Sequence, residues 1–308
     1  MKLGLHIYDF TPRRGKSAGI TPLGRPTGGE QMKEIALSAG IVEYEDTEGP
    51  GPVVVLLHGL AMDGSLWRHV VGYLRADHHC IVPTLPLGGH RRPMRAEADL
   101  SPHGIGRLEA EFLERLDLHD VTLVGNDSGL YQIAAGEYPE RIGRLVLTSC
   151  EAFENFPPGL PGRAVAFAAR LPGGLNALAQ PMRLRALRRL PFAFGWMAKR
   201  PIPHAVTDAW LRPLLTQREI RRDLTKYVRT SRKGDLLAAA ERLRSFERPA
   251  LVIWAKEDRV MPPAHGRRLA ELLPHARLIE IADSYTLLPL DRPDELARAI
   301  RQFIREVP

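Results

Sequence analysis

The sequence predicts an α/β protein with a doubly wound, mostly parallel sheet. Seven short runs rich in Val, Ile and Leu alternate with stretches whose apolar residues recur every three or four positions. Most of these runs are continuously apolar, which is typical of strands that helices cover on both faces. An alternation of strands and helices of this kind indicates a parallel sheet.

The predicted strands form two groups along the chain. They cover residues 41–47, 52–58, 80–86, 121–127 and 144–150, and then 250–255 and 276–282. Amphipathic stretches lie between them, and DELARAIRQFIRE follows the last strand as a predicted helix. We therefore expect a core made of residues 35–151 and 247–308. Residues 1–34 are rich in Gly, Pro, Arg and Thr and are expected to form a poorly ordered extension.

The interval from 152 to 246 breaks the alternation because it contains no convincing strand. It carries 18 Lys and Arg residues against 6 Asp and Glu residues, so it holds the basic excess of a chain whose net charge is +7. We expect a helical, strongly basic cap over the carboxyl edge of the sheet, where ligands bind in such folds. Trp196 and Trp210 are predicted to line its pocket; the alternative is that they pack cap helices onto the core.

Composition excludes several classes of function. The basic residues form no aromatic-interleaved strand and no zinc-finger spacing, so no nucleic-acid binding is expected. The absence of any run of eighteen apolar residues predicts no stable membrane insertion. Two cysteines and an N-terminal segment unlike a secretory signal predict a cytoplasmic protein. Adjacent His78, His79 and Cys80 would alternate faces of a strand, so no metal site is predicted.

The strongest motif is Gly125-Asn126-Asp127-Ser128-Gly129, between a predicted strand and a predicted helix. A G-x-nucleophile-x-G turn is so sharp that only small residues fit two positions before and after the nucleophile. Centring the turn on Asp127 places glycines at both crowded positions. The motif therefore predicts that Asp127 is the nucleophile; the alternative is an ordinary turn with a capping Asp.

Two further segments complete the predicted site. His58-Gly59-Leu60 ends a strand at a loop that can supply an oxyanion-hole donor, and Leu60 N–H is the predicted donor, together with Ser128 N–H. Asp258 lies just past another strand, where a carboxylate can orient a catalytic base; the alternative is a loop-capping role.

These motifs, in this order and with a helical insertion before the last one, resemble the α/β-hydrolase family. The resemblance covers roughly residues 40–305. Asp at the tip of the turn is similar to the branch that contains haloalkane dehalogenases and epoxide hydrolases. The resemblance implies that the carboxylate of Asp127 attacks an alkyl carbon and forms an ester, which a His-activated water hydrolyses.

The sequence departs from this branch at the base. Aligned on Pro293, the position of the catalytic His is occupied by Thr286, which is no base near neutral pH. Epoxide hydrolases of the branch use two cap tyrosines, whereas this insertion contains Tyr227 alone. His90 follows a predicted strand at the same edge of the sheet and is the candidate substitute base; the alternative is a solvated loop residue.

We therefore expect a hydrolase, without a cofactor, that acts on a small and largely apolar molecule. Asp127 would be the nucleophile, Asp258 the orienting acid, and Leu60 and Ser128 the donors to the oxyanion. The alternative is a non-hydrolytic binding protein, or a cofactor-free lyase, that has lost the catalytic His. A homodimer is left open.

Overall fold

The computed structural model describes residues 32–307, which form an eight-stranded sheet flanked by helices. The strands are β1 (Lys33–Leu37), β2 (Gly40–Asp46), β3 (Val53–Leu57), β4 (His79–Pro83), β5 (Val121–Asp127), β6 (Ile142–Cys150), β7 (Ala250–Ala255) and β8 (Ala276–Ile281). Their order in the sheet is β1-β2-β4-β3-β5-β6-β7-β8. β2 is antiparallel to both of its neighbours, whereas the six strands β3–β8 are parallel to one another. The predicted α/β fold is confirmed.

Eleven α-helices accompany the strands in the described part of the chain. They are α1 (Arg68–Leu74), α2 (Pro102–Arg115), α3 (Leu130–Glu137), α4 (Gly159–Arg170), α5 (Gly174–Ala179), α6 (His204–Thr216), α7 (Arg218–Thr230), α8 (Lys233–Leu243), α9 (Pro263–Leu272), α10 (Leu288–Asp291) and α11 (Pro293–Glu306). No helix within residues 32–307 is long and apolar enough to cross a lipid bilayer.

Strand β1 has no counterpart among the predicted strands. It begins at Lys33, inside the stretch predicted as an extension, and most of that stretch lies outside the described residues. The strand is at the edge of the sheet and alternates half-buried with exposed residues. An edge strand needs no continuous apolar run, so the sequence of β1 indicates a strand only weakly.

The central strands form the core and fix the direction in which the site opens. Every residue of β5 and of β7 is buried. Because β3, β5, β6 and β7 are parallel, their carboxyl ends meet at one edge of the sheet. Residues that follow these four strands are therefore brought together there.

The described segment between β6 and β7 contains helices, turns and irregular stretches but no strand, and its α-helices belong to two groups. Helices α4–α7, which lie in the predicted cap, pack on one another. Helix α8 packs on α3 and α9, which accompany the sheet. The predicted cap, 152–246, thus includes one helix that packs with the core.

The glycine two residues before Asp127 has no room for a side chain. A Cβ at Gly125 would lie 1.7 Å from the ring of Tyr131, which is fully buried. In contrast, a Cβ at Gly72, in α1, would meet nothing within 4 Å. The sharp turn after β5 therefore depends on glycine for steric reasons.

We expect Gly125→Ala to destabilise the protein by several kcal/mol, because the ring of Tyr131 cannot move out of the packed core without leaving a void. Gly72→Ala is the matched control and should stabilise helix α1 by up to about 1 kcal/mol. Urea denaturation of both variants measures the two effects. Equal stability of the Gly125 variant and the wild type would contradict the steric account.

Candidate active site

Asp127 lies at the tip of the turn between β5 and α3, with a φ of +73°. Non-glycine residues rarely adopt this conformation, and its cost of about 1–3 kcal/mol is usually found at functional sites. The side chain is buried, with 6% of the residue exposed. Its Oδ2 accepts a hydrogen bond of 3.2 Å from the backbone N–H of Leu60. The structure thus brings these two predicted site residues together.

The loop that supplies this N–H approaches the carboxylate closely. A Cβ at Gly59 would lie 1.9 Å from Oδ2 of Asp127, so this position also requires glycine. His58 holds the loop in place: its Nε2 accepts from Leu85 N–H at 2.9 Å, and its Nδ1 lies 2.8 Å from Gly59 O. Nδ1 must therefore carry the proton. Burial lowers the pKa of His58 to about 4, so the ring is neutral near pH 7 and holds the loop through these two contacts.

Ser128, the second predicted oxyanion donor, is bonded within the turn. Its backbone N–H donates to Asn126 O at 2.9 Å, and its Oγ accepts from Leu130 N–H at 3.3 Å. The Leu60 N–H therefore donates to the Asp127 carboxylate, whereas the Ser128 N–H donates to the backbone oxygen of Asn126. Ser128 itself is fully buried.

Asp258 follows β7, and Thr286 contacts it. Oδ1 of Asp258 accepts a hydrogen bond of 2.7 Å from the Thr286 hydroxyl, and also the backbone N–H groups of Val260 and Met261. Oδ2 is shielded from solvent, and the Ser149 side chain also lies within hydrogen-bond reach of the Asp258 carboxylate. Burial raises the pKa of Asp258 to about 6 against the effect of these hydrogen bonds.

His90 is not brought to the Asp127 carboxylate. Its Nδ1 accepts from Gly88 N–H at 3.2 Å, and its Nε2 lies 3.3 Å from Oδ2 of Asp223, a buried residue of α7. Both ring nitrogens are therefore engaged, and neither is available to activate water. The residue is buried and connects the loop after β4 to the cap, so it is neither a solvated loop residue nor a base in the site.

Neither predicted tryptophan lines the cavity beside Asp127. Trp210 is fully buried and donates from Nε1 to Ser65 Oγ at 2.9 Å. Its ring packs against Phe194, with 5.7 Å between the centroids. Trp196 packs against the hydrophobic core. Both therefore join the cap to the core, whereas Phe192 and Phe194 form part of the cavity wall.

The cavity has a volume of about 150 Å³ and lies between Asp127 and the cap. Its wall is almost entirely apolar, with residues such as Val165, Leu178, Met182, Phe194, Leu211 and Leu214 from the cap helices and their connections. The ionisable side chains in this wall are Asp127, Glu151 and Tyr227, and none of the wall residues is a His, Lys or Arg. The cavity is therefore an apolar space with two carboxyl groups and one phenol in its wall.

Glu151 is the site residue that sequence reasoning missed. It directly follows β6, and the strand register pairs Asp127 with Cys150, so Glu151 lies next to the turn. Its Oε2 accepts a hydrogen bond of 3.2 Å from Gly129 N–H, and 4% of the residue is exposed. The available signal was its position just past a buried strand at the carboxyl edge, as for Asp258.

The pKa of both carboxyl groups in the cavity wall is raised, because they are buried and the wall contains no Lys, Arg or His. The pKa of Asp127 rises to about 7, mainly through burial, with the Leu60 N–H opposing and Asp258 reinforcing the shift. The pKa of Glu151 rises to about 8 through burial and the nearby charge of Asp127. Near neutral pH the wall thus holds a carboxyl that is about to ionise and one that is still protonated.

Comparison with known proteins defines the class. The profile of the alpha/beta hydrolase family matches residues 54–299, so the chain belongs to that family. The predicted resemblance to this family is confirmed, and with it the expectation of a hydrolase-class enzyme. The assignment to the Asp-nucleophile branch stays a prediction.

Individual relatives agree over most of the chain. It is 29% identical to a cis-3-alkyl-4-alkyloxetan-2-one decarboxylase of Shewanella oneidensis, with 84% of each chain covered. It is 24% identical to a haloalkane dehalogenase of Mesorhizobium japonicum, with 90% of this chain and 92% of that one covered. An alpha/beta hydrolase fold protein from Burkholderia ambifaria superimposes with a TM-score of 0.74 at 20% identity, covering 89% and 99% of the two chains.

The raised pKa of Asp127 predicts how stability depends on pH. Between about pH 4, the pKa of an unfolded Asp, and pH 7, the folded state holds a proton that the unfolded state has lost. The contribution of Asp127 to the free energy of unfolding therefore falls as the pH rises through this window. We expect Asp127→Asn to be more stable than the wild type at pH 8, with a midpoint at least about 2 °C higher. The difference should shrink at pH 4.5.

Thermal unfolding at the two pH values measures this difference. Asp294→Asn is the control, since that side chain is half exposed on α11. A variant of Asp127 that is less stable than the wild type at pH 8 would show that its carboxylate is stabilised by the fold.

Proposed function

We propose that the protein attacks a carbon of a small, largely apolar electrophile with the Asp127 carboxylate and forms an ester at that residue. This is chemistry of the epoxide-hydrolase and dehalogenase type. The single observation that carries the proposal is the position of Asp127, held at a strained turn with its carboxylate facing an apolar cavity. A carboxylate in such a cavity has lost most of its hydration and is a stronger nucleophile.

The surrounding groups support this role. The Leu60 N–H holds Oδ2, which leaves Oδ1 as the attacking oxygen. After attack, Oδ2 becomes the carbonyl oxygen of the ester, and the same N–H stabilises the negative charge that develops there during ester hydrolysis. A relative named as a haloalkane dehalogenase is consistent with attack at an alkyl carbon.

Breakdown of the ester requires a base that activates water. Thr286 occupies the predicted position of that base and donates to Asp258, and no histidine is part of the cavity wall. We therefore propose that formation of the ester is intact and that its hydrolysis is the slow step.

A second candidate is a cofactor-free lyase, in which no water is activated. A carboxylate on the neighbouring carbon leaves as CO2, its electron pair forms a C=C bond, and the C–O bond to Asp127 breaks and restores the Asp127 carboxylate. The hydrogen bond between Thr286 and Asp258 favours it, because it fills the position of the base with a group that cannot act as one. A relative named as an oxetanone decarboxylase also supports it. A non-hydrolytic binding protein would show neither ester formation nor turnover.

We expect a reactive epoxide or alkyl halide to add its mass to the peptide that contains Asp127. Asp127→Asn should lower the rate of labelling by at least about a thousandfold, because the amide is not a nucleophile. Ser128→Ala is the matched control and should change the rate by less than about tenfold, since the hydroxyl contacts Leu130 N–H and the Tyr227 hydroxyl and takes no part in the attack. Peptide mass spectrometry measures the label. Labelling that persists in Asp127→Asn and disappears in Ser128→Ala would overturn the assignment.

Thr286→His should shorten the lifetime of the ester, because an imidazole beside Asp258 can activate water. General-base catalysis contributes about a hundred- to ten-thousandfold. The decay of the labelled peptide after removal of the electrophile measures this lifetime, with Thr286→Val as the control for loss of the hydroxyl. An ester that decays equally fast in the wild type and in Thr286→His would show that the wild type needs no added base.

A further inference from the structure

Glu151 is a second carboxyl in the wall of the same cavity as Asp127, and the proposed nucleophilic step does not use it. It is buried, and its hydrogen bond comes from the backbone of the turn. The wall of this cavity contains no Lys, Arg or His; Arg232 shares with Glu151 only a second and smaller cavity. An uncompensated carboxyl in an apolar wall costs free energy. Because of this cost, we interpret Glu151 as a residue with a chemical role.

The hydrogen bond of Glu151 determines where its proton lies. Gly129 N–H donates to Oε2, so Oε2 serves as the acceptor and the proton of the neutral carboxyl belongs on Oε1. Gly129 is two residues after Asp127, and Glu151 N–H donates to Asp127 O at 3.0 Å. The backbone of this turn therefore holds Glu151 and Asp127 at fixed positions relative to each other.

The protonation states of the two carboxyls are complementary. Burial raises the pKa of Glu151 to about 8 and that of Asp127 to about 7. The charge of Asp127 raises the pKa of Glu151, so the pair gives up its two protons in separate steps and passes through a state with one proton and one negative charge. The proposed attack by Asp127 requires that charge on Asp127 and leaves the proton on Glu151. Two carboxyls with separated pKa values are the usual arrangement for a nucleophile and an acid.

From this geometry we infer that Glu151 is the proton donor to an oxygen leaving group, and that the substrate is an epoxide with apolar substituents. The inference rests on the proposed role of Asp127 as the nucleophile. A halide leaves as a stable anion without a proton, whereas the oxygen of an opening epoxide becomes an alkoxide unless it is protonated. An acid in the wall therefore distinguishes between the two classes of electrophile.

The step balances without any other reactant. Oδ1 of Asp127 forms a bond to a ring carbon, the C–O bond of that carbon breaks, and its electron pair goes to the ring oxygen. That oxygen takes the proton of Glu151, so the products are a hydroxyalkyl ester at Asp127 and a carboxylate at Glu151. Hydrolysis of the ester consumes one water and releases a vicinal diol, the Asp127 carboxylate and one proton, which restores Glu151.

Tyr227 is the competing donor in the wall. Its hydroxyl is within hydrogen-bond reach of the hydroxyls of Ser128 and Ser231. Burial raises its pKa further above the ordinary value of a phenol, which makes it a weaker acid. An acid is most effective when its pKa is near the working pH, so Glu151 is the better donor.

The test compares two probes of similar size, 1,2-epoxybutane and 1-bromobutane, on the full chain. Rapid-quench mass spectrometry gives the rate of ester formation at Asp127 with each probe at pH 7.5. Glu151→Gln keeps the size of the side chain and an acceptor for Gly129 N–H, but has no acidic proton. We expect it to lower the ratio of the epoxide rate to the bromide rate by about a hundred- to ten-thousandfold.

The ratio is insensitive to partial unfolding, because lost protein lowers both rates equally. Glu109→Gln is the matched control: Glu109 is also a buried carboxyl, its pKa is also raised by burial, and it is not part of the cavity wall. The ratio should be the same in this variant as in the wild type. Tyr227→Phe should lower the ratio far less than Glu151→Gln.

The pH dependence gives an independent readout. The titratable and charged groups that face Glu151 are Asp127 on β5, Cys150 on β6, Tyr227 on α7, Arg232 before α8 and Asp235 on α8. In the wild type the epoxide rate should rise as Asp127 ionises and fall above about pH 8 as Glu151 ionises, whereas the bromide rate should only rise. The fall at high pH should be absent in Glu151→Gln.

The outcomes separate this inference from the proposed function. A ratio that is the same in Glu151→Gln and the wild type would overturn the role of Glu151 while leaving Asp127 as the nucleophile. A larger loss in Tyr227→Phe would assign the proton to the tyrosine. If neither probe labels Asp127 in the wild type, the proposed function itself is wrong, and Glu151 has no leaving group to protonate.

Discussion

The contact between the Leu60 loop and the Asp127 carboxylate is the constraint on which the site depends. It forms only because Gly59 has no side chain to block the approach and Gly125 leaves room for the Tyr131 ring beneath the turn. The neutral His58 clamps the same loop through Gly59 O and Leu85 N–H. The Leu60 N–H and the Asp127 carboxylate are thus positioned by backbone and by packed rings, before any ligand binds.

The site gathers negative charge without compensating it. Asp127, Glu151 and Asp258 lie near one another, and each has a raised pKa because burial outweighs the hydrogen bonds it accepts. A structure selected only for stability would place apolar residues or cations at such positions. Buried acids with separated pKa values are instead typical of sites that transfer protons or attack carbon.

Features with a local physical cause were predictable from the sequence. Most of the seven predicted strands follow from their continuous apolar runs, and the turn at Asp127 follows from the steric demand for glycine. Glu151 was missed because a single acid after a strand is not a distinctive pattern. Its position beside Asp127 depends on the register between β5 and β6. His90 was misjudged because its partner, Asp223, is 133 residues away. Such long-range pairs are decided by cap packing, which the sequence pattern does not encode.

The pairing of His90 with Asp223 also sets how the cavity can open. Asp223 accepts Met94 N–H and lies beside His90, so separating α7 from the core would expose a buried carboxylate and break its contacts with Met94 and His90, leaving Arg222 of the same helix as its partner. Helix α4 has weaker anchorage: Ala168 and Ala169 are its buried residues, and Phe167 is largely exposed. Opening of the cavity should therefore occur on the α4 side while α7 stays in place, and small molecules should enter and leave on that side.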